Sequence, residues 1–291
     1  MYELVMSIAT EAMATAGVGS EQCTKGDFAA ACRSFKKASG ILQCLATEQL
    51  PTWHSRNNEE VSLPAEACLG VCEAFAVLFL AIAQQMAVAV LLMKEGTPNW
   101  ALLAKLSLGI SEQMKEFVSD MRSKAAVVKS KIDPNFFVLM TFQIQLQKAL
   151  SMYFMSRDAW DSHDYGLAIA MLVDSISKVK TRDGPTSSGL PEIKSGSPLK
   201  AISKDLSFMK SHMNMLLKAW EKDNSSVYFE KVPLSIPEDK LLDQGTQMMK
   251  PDEYHLEDVD PIPLILSEND AVKSQEAEDA ELARRLQEQL G

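Results

Sequence analysis

Residues 74–93 read AFAVLFLAIAQQMAVAVLLM, twenty residues without a charge and with only two glutamines, Gln84 and Gln85. A run of that length is long enough to cross a bilayer as a helix. It also suits a helix at the centre of a protein core, where every side faces other protein. The flanks favour the second reading. A lone spanning helix usually carries basic residues on one side, whereas this run is bounded by Glu73 and by Lys94-Glu95. The glutamine pair sits at its midpoint, and many of its residues are alanines, which gain little in lipid. The run is therefore expected to be the central helix of a large core, with peripheral membrane association at most.

The rest of the chain supplies partners for such a helix. Phe28, Cys32, Phe35, Leu42 and Leu45 recur at steps of three and four, the spacing of one apolar helix stripe. A further helix begins near Pro98 and runs to about Val127, and another follows Asp133-Pro134 to about Ser156. A shorter one is expected over 165–180, where Gly166, Ala168 and Ala170 allow close helix approach. The stretch RDGPTSSGLPEIKSGSP (182–198) reads as a loop. Leu199, Ile202, Leu206, Met209, Met213, Leu216 and Trp220 then define a long helix packed along one seam. No alternating strand pattern and no glycine-rich phosphate loop occurs. The expected fold is all-α: long antiparallel helices, in a bundle or a solenoid of hairpins. Residues 234–266 form a proline-punctuated, extended strap, and within it Asp260-Pro261-Ile262-Pro263-Leu264 is expected to lie on the domain. The expected division is a domain over 1–266 and an acidic tail over 267–291, with a short helix at 278–290.

Charge and chemistry narrow the function. The segment 234–291 holds 15 acidic and 5 basic residues, and its excess equals the −10 of the whole 291-residue chain, so the body is neutral. A neutral body lacks the basic face that nucleic-acid binding needs. The five cysteines, Cys23, Cys32, Cys44, Cys68 and Cys72, are read as reduced, packed thiols. Cys68 and Cys72 share a helix face, but no second pair with metal-ligand spacing lies near them. His163 stands among Asp158, Asp161 and Asp164 in DAWDSHDYG, which is better read as a polar helix connection than as a metal or acid–base cluster. No catalytic, cofactor-binding or metal residues are assigned, and the first segment shows no signal-peptide pattern.

One surface stands out on a helical wheel. Leu103, Ile110, Met114, Phe117 and Met121 fall within roughly 60° of each other and form the core stripe of their helix. Leu102 lies about 90° and Leu106 about 50° from the centre of that stripe. Being four apart, the two are neighbours on the helix surface. They read either as a wide core stripe or as an exposed shoulder that forms the wall of a groove for a partner helix.

Two blocks of sequence then resemble a known family. WEKDNSSVYFEKVP (220–233), at the end of a long helix, is similar to the C-terminal signature of the BRO-one domain, found in ALIX- and Brox-like adaptors of the ESCRT membrane-scission machinery. LAIAQQMAVAV with WALLAKLSLGISEQM, and MATAG with KGDFAAACRSFKKASGIL, resemble the family's middle and early helices. The resemblance covers about 1–266, and the part of the family domain that precedes it, roughly a third, has no counterpart here. It implies a boomerang-shaped, non-enzymatic domain of helical hairpins. It also implies a hydrophobic groove for the C-terminal amphipathic helix of an ESCRT-III subunit, and a cytoplasmic protein recruited to endosomes for multivesicular-body sorting. By the same resemblance two groove residues fall on Leu102 and Leu106. The third, a phenylalanine in the family, falls on Ala87, with Met86 or Met93 near enough to fill the gap. Tyr228 matches a tyrosine that faces regulatory partners in some members, or else simply packs on the last helix. EDAELARRLQEQL (278–290) resembles inverted ubiquitin-binding helices, with Leu282, Ala283 and Leu286 as the contact residues. A generic helical scaffold for signalling or pH-response partners, and a membrane-embedded protein using 74–93 as its span, are the alternative readings.

Overall fold

The structure is a computed structural model that describes residues 2–56, 63–125, 132–179 and 199–256. All its regular structure within these residues is helical. The main helices are α1 (Tyr2–Thr24), α2 (Phe28–Cys44), α3 (Leu50–Arg56), α4 (Leu69–Met93), α5 (Trp100–Ser123), α6 (Pro134–Asp161), α7 (Tyr165–Lys178) and α8 (Leu199–Asp223). A π-helical turn, Leu45–Gln49, joins α2 to α3. Local chemistry sets the starts. The carboxylate of Asp27 accepts the Ala30 N–H at 2.9 Å. Asn99 accepts that of Leu102 at 3.0 Å. Asp133 accepts that of Asn135 at 2.9 Å, with Pro134 in the first turn, where its missing N–H is not needed. The loop expected at 182–198 lies outside the described residues.

Each long helix packs on the one before it: α2 on α1, α4 on α2, α5 on α4, α6 on α5, α7 on α6 and α8 on α7. This is the hairpin succession expected for a solenoid. The quoted apolar run forms most of α4, wedged between α2 and α5. Leu78, Ala81 and Val88 of α4 meet Leu103, Ile110, Met114, Phe117 and Met121 of α5 and Met140, Ile144 and Phe154 of α6 in one core. Phe75, Phe117 and Phe136 interlock at 5.4–6.3 Å. Among the described residues α4 is long and apolar enough to cross a membrane, yet its apolar surface is used in helix packing.

The block at 220–233 turns the chain out of α8. Trp220 is buried and stacks on Trp160, with centroids 4.3 Å apart and planes within 4°. Residues Asn224–Tyr228 widen into a π-helical turn, and Phe229 takes a left-handed conformation (φ 56°). Asn224, buried, holds that turn from both sides. Its amide donates to the Glu230 carbonyl at 2.9 Å and its oxygen accepts the Glu230 N–H at 3.0 Å. The Glu230 carboxylate accepts the N–H of Gly166, at the start of α7, at 2.7 Å. A helix end is thereby converted into a strap.

The strap then runs back over the helices in reverse order. It passes Gly166 of α7 at Lys231, Gly109 of α5 at Gly245-Thr246, and Gly40 of α2 at Asp252. At each crossing a Cβ on the helix glycine would collide with strap backbone. Gly166, expected to bring helices close, brings the strap close instead. Polar bonds fasten each crossing. The Thr246 N–H donates to the Lys105 carbonyl at 2.9 Å, and the Gly245 N–H is shared by both Glu112 carboxylate oxygens at 3.1 and 3.2 Å. Lys36 pairs with Asp252 at 2.6 Å. The Tyr254 hydroxyl donates to Glu11 of α1 at 2.7 Å. Residues through Tyr254 belong to one compact unit, and His255–Gly291 to a second. The strap segment expected at 260–264 lies outside the described residues; the observed strap is 230–254.

The crossings make a contrast that can be measured. Gly109→Ala forces the strap off α5 and is expected to destabilise by about 1–3 kcal/mol, as overpacking does. A Cβ on Gly17, an exposed position of α1, meets nothing within 4 Å, so Gly17→Ala is expected to stabilise by about 0.5–1 kcal/mol. Urea unfolding monitored by circular dichroism would check both signs.

Candidate partner-helix groove

Gln84 stands at the centre of the face where α4, α5 and the strap meet. It is fully buried. Its amide nitrogen donates to the Leu106 carbonyl at 2.9 Å and to the Thr246 carbonyl at 2.8 Å. Its oxygen accepts the Met248 N–H at 2.8 Å. The side chain therefore uses both donors and one acceptor lone pair, which makes an amide tolerable in an otherwise apolar helix.

The Gln84–Leu106 bond also sets the antiparallel register of α4 and α5, which brings the turn of Ala87 opposite Leu102–Leu103. Ala87 is half-buried. Leu102 is half-buried and packs against the core cluster from its edge. Leu106 departs from the exposed-shoulder expectation: it is only 2% exposed and belongs to the core. The wheel assigned one buried stripe to α5, but α5 is buried on both flanks, by α4 and by α6. Leu106 faces the α4 flank, and the strap's Leu242 packs on the same cluster. Of the two methionines near the Ala87 position, Met86 is buried, whereas Met93 is 68% exposed at the end of α4 beside Leu92 at 42%. The surface thus has a half-open rim of Ala87 and Leu102, Leu106 beneath it, and free apolar side chains at Leu92 and Met93.

The remaining expected site residues lie elsewhere. Tyr228 is 40% exposed. It stacks on Tyr165 at 3.6 Å and meets the edge of Trp160 at 5.9 Å, so the chain packs back on the ends of α6 and α7. His163, in a left-handed conformation (φ 66°), shares a 2.8 Å hydrogen bond with the Tyr165 hydroxyl. Asp161 accepts the Trp100 indole N–H at 2.9 Å. These contacts make DAWDSHDYG a helix connection. Among the described residues no three His, Cys, Asp or Glu side chains are gathered to hold a metal ion. None of the five cysteines, all of them described residues, is in a disulfide. Burial, the largest cause in each case, pushes Cys44 up to about 11 and Cys72 up to about 12. Thiols held protonated in this way are poor nucleophiles. Leu282, Ala283 and Leu286 lie outside the described residues.

The BRO1-like domain family model matches residues 8–281. No curated protein matches the sequence. Solved structures do. An ALIX BRO1 CHMP4C complex is similar with a TM-score of 0.65 at 18% identity, over 88% of this chain and 64% of that one. A structure described as the basis for endosomal targeting by the Bro1 domain gives 0.63 at 17% identity, over 86% and 62%. A crystal structure of ALIX with the SIVmac239 PYKEVTEDL late domain gives 0.64 at 17% identity, over 91% and 34%. The chain thus spans less than two thirds of the length of these relatives, and at such identities the likeness shows a shared fold. With the family model matching nearly the whole chain, the protein belongs to the BRO1-like domain family.

Proposed function

We propose that the chain is a non-enzymatic adaptor that docks the amphipathic C-terminal helix of an ESCRT-III subunit on the α4–α5 face, acting in the cytoplasm at endosomes. The observation that carries the reading is the half-open apolar rim of Ala87 and Leu102 in a BRO1-like domain. A solved relative in complex with CHMP4C supports the choice of partner, and one described for endosomal targeting supports the place of action. In this reading Leu102 and Ala87 touch the ligand. Leu106 is the floor beneath them and shapes the groove without being a free anchor. Alanine at position 87 leaves space where a large side chain would stand, and Met93, flexible and exposed, suits an irregular partner surface.

The test is fluorescence anisotropy with labelled C-terminal helices of ESCRT-III subunits. Leu102→Asp is expected to weaken micromolar binding by at least about tenfold, since it sets a charge against an apolar anchor. Leu234→Asp, at a fully exposed strap position, should bind as the parent does. Leu106→Asp is unsuitable as a probe, because it buries a charge in the core. A folded protein that binds none of these helices, or a Leu102→Asp variant of unchanged affinity, contradicts the proposal.

We further propose ubiquitin as a second partner, engaged by Leu282, Ala283 and Leu286 of EDAELARRLQEQL. Leu286→Asp in the full chain is expected to abolish chemical-shift changes in labelled ubiquitin. No shifts with the parent chain at millimolar ubiquitin would remove the idea.

A further inference from the structure

Among the described residues Arg157 is a cation without an anion. It lies about one turn before the end of α6, half-buried. Its guanidinium carbon is 4.9 Å from the ring centre of Trp100 and 5.9 Å from that of Trp220. Both indoles are fixed independently of it. Trp220 is buried and stacked on Trp160. Trp100 stacks on Phe154 at 6.0 Å and is held by Asp161 through its indole N–H. The guanidinium is thus gripped by two rings. Its Nε is buried and has no hydrogen-bond partner, and among the described residues Arg157 forms neither an ion pair nor a hydrogen bond.

The nearby carboxylates do not serve it. Asp161 is committed to Trp100, and Glu230 to the Gly166 N–H. Asp158 and Asp164 lie close in sequence but form no ion pair with it. Cation–π attraction fixes the plane of the guanidinium without using its five N–H donors. A planar fork already immobilised has little rotamer entropy left to lose on binding, so an incoming bidentate acceptor gains most of its interaction.

We propose that Arg157, clamped between Trp100 and Trp220, is the receptor for a carboxylate on an acidic peptide segment. The neighbourhood selects the kind of anion. Asp158, Asp161 and Asp164 all lie within seven positions of Arg157, and their repulsion scales with the ligand's charge, so a singly charged carboxylate is favoured over a phosphate dianion. The aromatic rim of Trp160, Tyr165 and Tyr228 offers apolar contact to the peptide beside its acid. This site uses the α6 flank of α5, whereas Leu102 faces α4, so it does not rest on the groove reading.

The experiment titrates the full chain with a peptide capped at both ends that carries one glutamate between two leucines, following tryptophan fluorescence, with its glutamine counterpart and inorganic phosphate as comparison ligands. Saturable binding is expected for the glutamate peptide alone, weakened at least about tenfold in Arg157→Lys, which keeps the charge but loses the planar fork. A second measurement uses only the parent protein. Phenylglyoxal labelling read by mass spectrometry should modify Arg157, and the glutamate peptide should protect it. Absence of glutamate-peptide binding, phosphate or the glutamine peptide binding as tightly, unchanged affinity in Arg157→Lys, or labelling of Arg157 that the glutamate peptide does not slow would each overturn the proposal.

Discussion

One buried carboxamide joins α4, α5 and the strap that crosses them. Gln84 ties the central apolar helix to the carbonyl of its neighbour α5 and to the strap, at Thr246 and Met248. Each bond replaces water for a group that cannot reach solvent, so losing the side chain would strand several polar atoms at once. The glycines at the crossings complete the device. A strap can lie on a helix closely enough for backbone hydrogen bonds only where no Cβ intervenes, and α7, α5 and α2 each present a glycine there. The C-terminal strap is thereby tied to helices that precede it by up to 243 residues, the separation of Tyr254 from Glu11.

That arrangement explains which parts of the structure could be read in the sequence. The long helices and their order depend on local periodicity, with Pro98 and Asp133-Pro134 marking two of the starts, so they were legible; the Asp27 and Asn99 caps emerge only in the structure. The central position of residues 74–93 was legible too, because Gln84-Gln85 and the charged flanks spoke against lipid. What Gln84 does was not, since two of its partners lie 162 and 164 residues away. Gly166 looked like a helix-packing residue for the same reason. Its neighbour is a strap whose path no periodic pattern records.

The groove shows a second kind of limit. A helical wheel measures distance from one stripe, and it left Leu106 open between a wide core stripe and an exposed shoulder. A helix in a solenoid has neighbours on two flanks, so a leucine about 50° off the stripe is still covered. Leu102, further round, keeps a partly open side. The family resemblance marked both positions. Only the packing separates a residue that a ligand can touch from one that supports it. Likewise, WEKDNSSVYFEKVP was recognised as a signature before its physical content was visible. That content is a stacked tryptophan, a two-sided asparagine clamp and a left-handed phenylalanine, which together turn a helix into a strap.

The central claim is that the strap is part of the folded core, held there by Gln84. Native-state hydrogen exchange on the parent and on Gln84→Leu tests it most directly. The Gly245, Thr246 and Met248 amides should be protected in the parent to nearly the level of the α5 core amides. In Gln84→Leu they should exchange at least about a hundredfold faster, while the α6–α7 core keeps its protection. Rapid exchange of these amides in the parent, or equal protection in the variant, would contradict the account.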